Sequence, residues 1–182
     1  MIRKAKPEDA PQLAKLIILA MGNLADKFVN NPEDTLPLFT HFAAIGGNQY
    51  SYQNILVWDD GGVQGMVCAY DGAELKPLRT PFLRYIKEVY GVAVTPENET
   101  ASGEFYLDCL AVFSEHQDKG LGKKLIAGIA DYANSLGYTK LGLLVKKENP
   151  DAKKLYIKTG FYVAEEKIFV GDTYEHLQMD LS

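Results

Sequence analysis

Cysteine is nearly missing from this chain: Cys68 and Cys109 are the only two in 182 residues. Two cysteines do not suggest a disulfide framework, and with His41, His116 and His176 they show no metal-ligand spacing, so no metal is expected. No apolar run approaches membrane-spanning length, and the opening MIRKAKPEDAPQLAKL has no apolar stretch followed by a cleavage site. The expectation is a cytoplasmic protein with no membrane partner, in which the sequon Asn98-Glu99-Thr100 means little. Basic residues are the minority, 19 against 24 acidic, for a net charge of −5. That balance argues against broad nucleic-acid binding and favours a cationic partner. Repeats, linkers and low-complexity segments are also lacking.

Hydrophobic residues, at 47%, are ample for a core, and the length suits one domain over residues 1–182. The pattern is mixed α/β. Met1 to Lys6 reads as a strand and Pro7 to Met21 as an amphipathic helix, with Ala10, Leu13, Leu16, Ile17 and Ala20 on one side. A second helix is expected from Thr35 to Ala44, ending at Gly46-Gly47. Asn54 to Trp58 and Val63 to Tyr70 form a hairpin around Asp59-Asp60-Gly61-Gly62. Further strands are expected over Glu104 to Phe113 and Thr139 to Val145, and a last hairpin over Phe161 to Val170 and Thr173 to Leu181. Residues 71–103 are too long for a simple connection. Their middle, Leu78 to Tyr90, carries Arg79, Phe82, Arg84, Tyr85 and Tyr90. It reads either as an inserted helix or lid near an acceptor site, or as surface decoration or a dimer contact.

Two motifs carry chemistry. Gln117-Asp118-Lys119-Gly120-Leu121-Gly122-Lys123 joins a strand to the helix Gly120 to Ser135, whose Leu121, Leu125, Ile129 and Ala133 share a face. Two glycines bare the first helical N–H groups, which have no partner inside the helix. With the dipole, Lys119 and Lys123 they suit a phosphate or pyrophosphate. A Walker loop is not matched, because Gln117 stands at its first glycine and Lys124 at its Ser/Thr. A dinucleotide fingerprint fails at Leu125, and glycines for close packing alone are the plain alternative. The second motif runs from Asn149 to Phe161. Asn149 is an N-cap, Pro150 fits the first helical position and Gly160 ends the helix, with Ala152, Leu155, Tyr156 and Thr159 on one face. Read alone, Tyr156 is a core aromatic and Asn149 only a cap.

Together these residues resemble the GNAT superfamily of N-acetyltransferases. Gln117, Gly120 and Gly122 match its Gln/Arg-x-x-Gly-x-Gly/Ala motif, and Asn149 to Phe161 matches Asn-x-x-Ala-x-x-Leu-Tyr-x-x-x-Gly-Phe at every defined position. The resemblance covers roughly residues 104 to 162. It implies a twisted, mostly antiparallel sheet flanked by helices, with one parallel pair splayed apart. It implies acetyl-CoA as co-substrate, with pantetheine on the backbone of Leu110, Ala111 and Val112. The pyrophosphate would rest on N–H groups from Asp118, Lys119, Gly120, Leu121, Gly122 and Lys123, and Asn149 would touch the pantetheine arm.

The chemistry can be argued apart from the family. An amine attacks a thioester, an oxyanion forms, and a thiolate leaves. An alkyl ammonium of pKa about 10.4 needs a proton acceptor, and a thiolate of parent pKa about 8.5 can take a proton from a tyrosine near about 10. The resemblance points Tyr156 at the sulfur as general acid. For the base, Glu104, Tyr106 and Asp108 share one strand face by its period of two. The position used by the histone-acetylating branch holds Tyr106 here, and a second family position holds Leu144. Asp108 is the first choice and Glu104 the second, with a water relay or a purely structural Asp108 as alternatives. Cys109 is expected to face the core. The reading is acetyl transfer to an amine in a ternary complex. Its rivals are a non-catalytic acyl-CoA-binding or regulatory module and transfer to a non-amine acceptor. A homodimer stays open.

Overall fold

A computed structural model describes every residue except Val170, the last residue of one expected strand. The strands are β1 (Ile2–Lys4), β2 (Ile55–Asp59), β3 (Val63–Asp71), β4 (Phe105–Val112), β5 (Lys140–Lys146), β6 (Tyr162–Phe169) and β7 (Asp172–Asp180). The helices are α1 (Ala10–Met21), α2 (Thr35–Ala44), α3 (Leu75–Tyr90), α4 (Leu121–Ser135) and α5 (Pro150–Lys158). One seven-stranded sheet runs β1-β2-β3-β4-β5-β7-β6. Every neighbouring pair is antiparallel except β4 and β5.

Strand alternation builds a core on each face of this sheet. Ile55, Val57, Met66, Cys68, Tyr70, Tyr106 and Ala111 face α1, α2 and α3 in one buried cluster. Leu56, Val67, Ala69, Phe105, Leu107, Leu141 and Leu143 face the Leu125, Ile126, Ile129 and Ala133 stripe of α4 in the other. The sequence left α3 open between lid, decoration and dimer contact. It buries Leu75, Phe82 and Ile86, so it is a core helix, and it starts three residues earlier than the aromatic stretch suggested. Residues 22–34, to which no element was assigned, form short 3-10 turns at Gly22–Phe28 and Pro32–Asp34.

Two irregularities in β4 shape the centre of the molecule. Cys68 pairs with Cys109 but Ala69 pairs with Leu107, so Asp108 is the extra residue of a β-bulge. The bulge breaks the period of two: Cys109 packs on the first cluster while Leu107 and Leu110 belong to the second. On the other edge, β4 pairs with β5 only at Phe105–Leu141 and Tyr106–Gly142, whereas β5 stays paired with β7 from Lys140 to Lys146. Beyond Tyr106 the parallel strands part.

A buried carboxylate sits next to the point where they part. Glu104 is almost wholly buried and receives His176 Nε2 at 2.9 and 3.1 Å and Gln178 Nε2 at 3.0 Å. Gly142 leaves the space that this carboxylate fills, and a Cβ there would overlap it. Gly142→Ala should therefore destabilise the protein by about 1–3 kcal/mol in a urea titration, as overpacking does. The loss should shrink when Glu104→Ala is already present. Equal effects in both backgrounds would mean that Gly142 and Glu104 do not share this space.

Candidate active site

Residues 107–112 of β4 have no strand neighbour on the side facing β5. At the end of this edge the Gln117 Nε2 donates to the Val112 carbonyl at 3.0 Å, tying the glycine loop to the strand. The loop turns through two left-handed residues, Asp118 at φ 60° and Gly120 at φ 74°. Glycine relieves that conformation at the second, the residue before α4 begins. Lys124 N–H bonds the Gly120 carbonyl at 3.2 Å, so the N–H groups of Leu121, Gly122 and Lys123 precede the first bond of the helix. Leu121 is buried as the anchor of α4, whereas Asp118, Lys119 and Lys123 are exposed. Gly122 backs onto Leu155 of α5, at 3.4 Å from where its Cβ would lie.

α5 follows β5 and carries the second motif. Asn149 caps it, its side-chain oxygen accepting from Ala152 N–H at 3.2 Å, which leaves its amide nitrogen as a donor. None of its residues is fully buried, and Ala152, Leu155 and Tyr156 lean on the second cluster. The Tyr156 ring meets Phe161 edge-on at 5.6 Å. Burial, and then the neighbouring Cys109, push its hydroxyl up to about 12.

Asp108 lies on the bulge, partly exposed. Its carboxylate accepts from Gln49 Nε2 at 3.1 Å. The Tyr70 hydroxyl is buried, makes no hydrogen bond and lies close enough to the same carboxyl to pull its pKa down. Burial, then the charge of Glu99, push Asp108 up to about 7, against the pull of Gln49, Tyr70 and the more distant Arg79. Glu99, itself raised by burial, accepts from the Tyr106 hydroxyl at 2.8 Å. Burial also raises Tyr50, Tyr70 and Tyr106 well above the ordinary phenol value.

Gln49 is held rigidly for this contact. Asn48 donates to the carbonyls of Phe42 and Ile45 at 3.0 Å each and accepts from Tyr50 N–H at 2.9 Å. Gln49 N–H bonds the Leu78 carbonyl at 2.9 Å.

Cys109 links two of the expected site residues: it follows Asp108 in the chain and acts on the Tyr156 hydroxyl, while Gln117 ties the glycine loop to Val112. Glu104 lies apart from these, next to the paired end of β4 and β5. Burial pushes its carboxyl up, but the bonds from His176 and Gln178, with Lys167 nearby, prevail and hold it below the ordinary range. The sequence did not reveal Gln49, Tyr70 or Glu99. Its one signal was a knot of amides, Asn48, Gln49, Gln53 and Asn54, between a helix and a strand. Nor did linear spacing reveal that Cys68, Cys109 and Asp108 meet, their sulfur and oxygen atoms within 4.8 Å of one another. Among the described residues no helix is long and apolar enough to cross a membrane.

The chain matches the model of the Acetyltransferase (GNAT) family over residues 20–161. An uncharacterized N-acetyltransferase of Bacillus subtilis strain 168, YycN, is 32% identical over 76 residues, 41% of this chain and 49% of that protein. The match thus spans about half the length of that relative. A crystal structure described only as an acetyltransferase is 30% identical, with 100% of both chains covered and a TM-score of 0.85. The N-acetyltransferase from Staphylococcus aureus Mu50 is 23% identical over 98% of this chain and 100% of its own, at a TM-score of 0.80. yncA, a putative acetyltransferase from Salmonella typhimurium solved with its cofactor acetyl-CoA, is 20% identical over 100% and 94%, at 0.60. These last two share the fold.

The environment of Asp108 has a consequence for stability. Its ordinary value is 3.8 and its folded value about 7. Between those limits the unfolded chain gives up this proton while the folded chain keeps it. Stability therefore falls as pH rises through that window and levels off above it. Asp108→Asn never ionises and should be more stable than wild type at about pH 8, by on the order of 1–4 kcal/mol. The advantage should fade towards about pH 4. Thermal unfolding at both pH values checks this, and a variant less stable at the higher pH would mean that Asp108 is a satisfied structural carboxylate.

Proposed function

The chain belongs to the acetyltransferase (GNAT) family, and from that premise we propose that it transfers an acetyl group from acetyl-CoA to an amine, directly, within a ternary complex. One observation supports the reading: Asp108, raised to about 7, adjoins Cys109 on the strand that parts from β5, and Cys109 in turn acts on the raised Tyr156 hydroxyl. Two titratable groups whose surroundings set their pKa values so far apart suit a base and an acid of one reaction.

The residues of the opening fit the co-substrate. The bare edge of Leu110, Ala111 and Val112 suits the amides of a pantetheine arm, and the Asn149 amide nitrogen is free to join them. The N–H groups at the start of α4, flanked by Lys119 and Lys123, suit a pyrophosphate. When bound there, acetyl-CoA supplies the acetyl thioester.

The protein's part then follows. Asp108, held by Gln49, takes a proton from the incoming ammonium, directly or through a water. A value near the working pH suits a group that must both accept and release that proton. Backbone N–H groups of the bulged strand stabilise the oxyanion. Tyr156 protonates the departing thiolate. In this reading Glu99 and the helix α3, whose Arg79 acts on Asp108, border the acceptor side, making residues 71–103 part of the acceptor site of a single domain. The acidic surroundings of Asp108 favour a cationic acceptor.

Tyr156→Phe tests the reading. The ring keeps its packing on Phe161 and only the proton donor is lost. With an amine found by a thiol-release screen of polyamines, aminoglycosides, amino acids and peptide N-termini, kcat should fall about 10²- to 10⁴-fold. Acetyl-CoA affinity, followed by calorimetry, should change little, because the lost bond matters mainly as the thiolate develops. An unchanged kcat where chemistry limits turnover would remove Tyr156 as the acid. A wild type that binds acetyl-CoA but acetylates nothing would favour a binding module.

A further inference from the structure

The mechanism above uses neither cysteine, yet their placement is specific. Cys68 of β3 and Cys109 of β4 are register partners in an antiparallel pair. Directly opposed residues there lie about 4.5–5.5 Å apart at Cα, inside the range of about 4.4–6.8 Å that disulfides span. The bulge at Asp108 leaves Cys109 on the same face as Cys68. Their sulfurs lie within 4.8 Å of each other. Cys68 is wholly buried, while Cys109 is partly exposed.

We propose that Cys68 and Cys109 form a reversible cross-strand disulfide when a hydroperoxide enters the opening, and that this bond switches off the neighbouring base. The exposed partner reacts first. The sulfur of Cys109 attacks the peroxide O–O bond, becoming a sulfenic acid and releasing one water, or an alcohol from an organic peroxide. The sulfur of Cys68 then displaces the sulfenic hydroxyl, which leaves as water with the Cys68 proton. Two thiols lose two hydrogens and two electrons, and one peroxide is reduced.

The effect on Asp108 follows from contacts already described. Cys109 is its chain neighbour on the bulge. The Cys68 thiol also donates to the backbone carbonyl of Gln49 at 3.5 Å, and the Gln49 side chain holds the Asp108 carboxylate. Joining the sulfurs removes that donor and pulls the bulge toward β3, so the base shifts from both sides. The adjacent Cys109 and then burial push the Cys68 thiol well above its ordinary value. It therefore stays a thiol until a sulfenic acid forms beside it.

The test uses the full chain without acetyl-CoA, treated with hydrogen peroxide and then with an alkylating agent. Intact mass should fall by two hydrogens, with Cys68 and Cys109 protected from alkylation and released by dithiothreitol. Cys68→Ala should give no crosslink, and its Cys109 should go on to sulfinic acid, which dithiothreitol does not reverse. Two alkylatable thiols, a sulfinic Cys109 in wild type, or crosslinks only between chains would each overturn the pair. The effect on turnover rests on the acetyl-transfer reading: activity should drop about 10²-fold on oxidation and return on reduction. A crosslinked protein with full activity would overturn the link to Asp108. The acetyl-transfer reading itself is tested on reduced protein and stands or falls separately.

Discussion

The short parallel pairing of β4 and β5 is the constraint on which the rest of this molecule depends. Two register pairs hold the strands together, and then they separate. A strand edge left bare carries N–H and C=O groups that need partners. Such an edge is tolerated in a folded protein where solvent or a ligand with its own amides can serve it. Next to the separation point lies a polar contact rather than an apolar one. Glu104, His176 and Gln178 form a buried polar clasp across Gly142, and a side chain at that position would displace the carboxylate. The proposed site, from the glycine loop to α5, takes the gap beside this clasp as its centre.

Two carboxylates only four residues apart are driven in opposite directions by this arrangement. Glu104 is satisfied by two donors and held below the ordinary range, where it is a fixed anion. Asp108 is crowded by Glu99 and by burial, with too few donors to compensate, and sits at about 7. The first lowers the energy of the fold. The second raises it at neutral pH, a cost found where proteins keep a group ready to change protonation state. This difference in surroundings, not the residue type, separates the clasp from the proposed base.

The local motifs were legible in the sequence because their requirements are local. Gly120 supplies a left-handed turn, Asn149 a cap and Pro150 a first helical position, and each is a statement about a few adjacent residues. The hairpins and α2 followed from periodicity and turn residues in the same way. What surrounds Asp108 was not legible. Gln49 reaches it across 59 residues and Glu99 arrives from the long connection before β4. The bulge that aims Asp108 and Cys109 to one face is a register shift between two strands, and no single strand encodes it. Period-two reasoning put Glu104 beside Asp108 as a rival base, but it could not see that His176 and Gln178 already occupy that carboxylate. The role of α3 was hidden for a similar reason: Leu75, Phe82 and Ile86 find their partners on distant elements.

The most direct test of this account is a crystal structure of the reduced protein with acetyl-CoA bound. The account predicts pantetheine amides paired with the free edge of Leu110 to Val112 and the pyrophosphate on the N–H groups between Asp118 and Lys123. The thioester sulfur should lie within hydrogen-bond reach of the Tyr156 hydroxyl, with Asp108 facing the acetyl carbon from the acceptor side. A ligand seated away from the gap, or a thioester remote from both Tyr156 and Asp108, would contradict it.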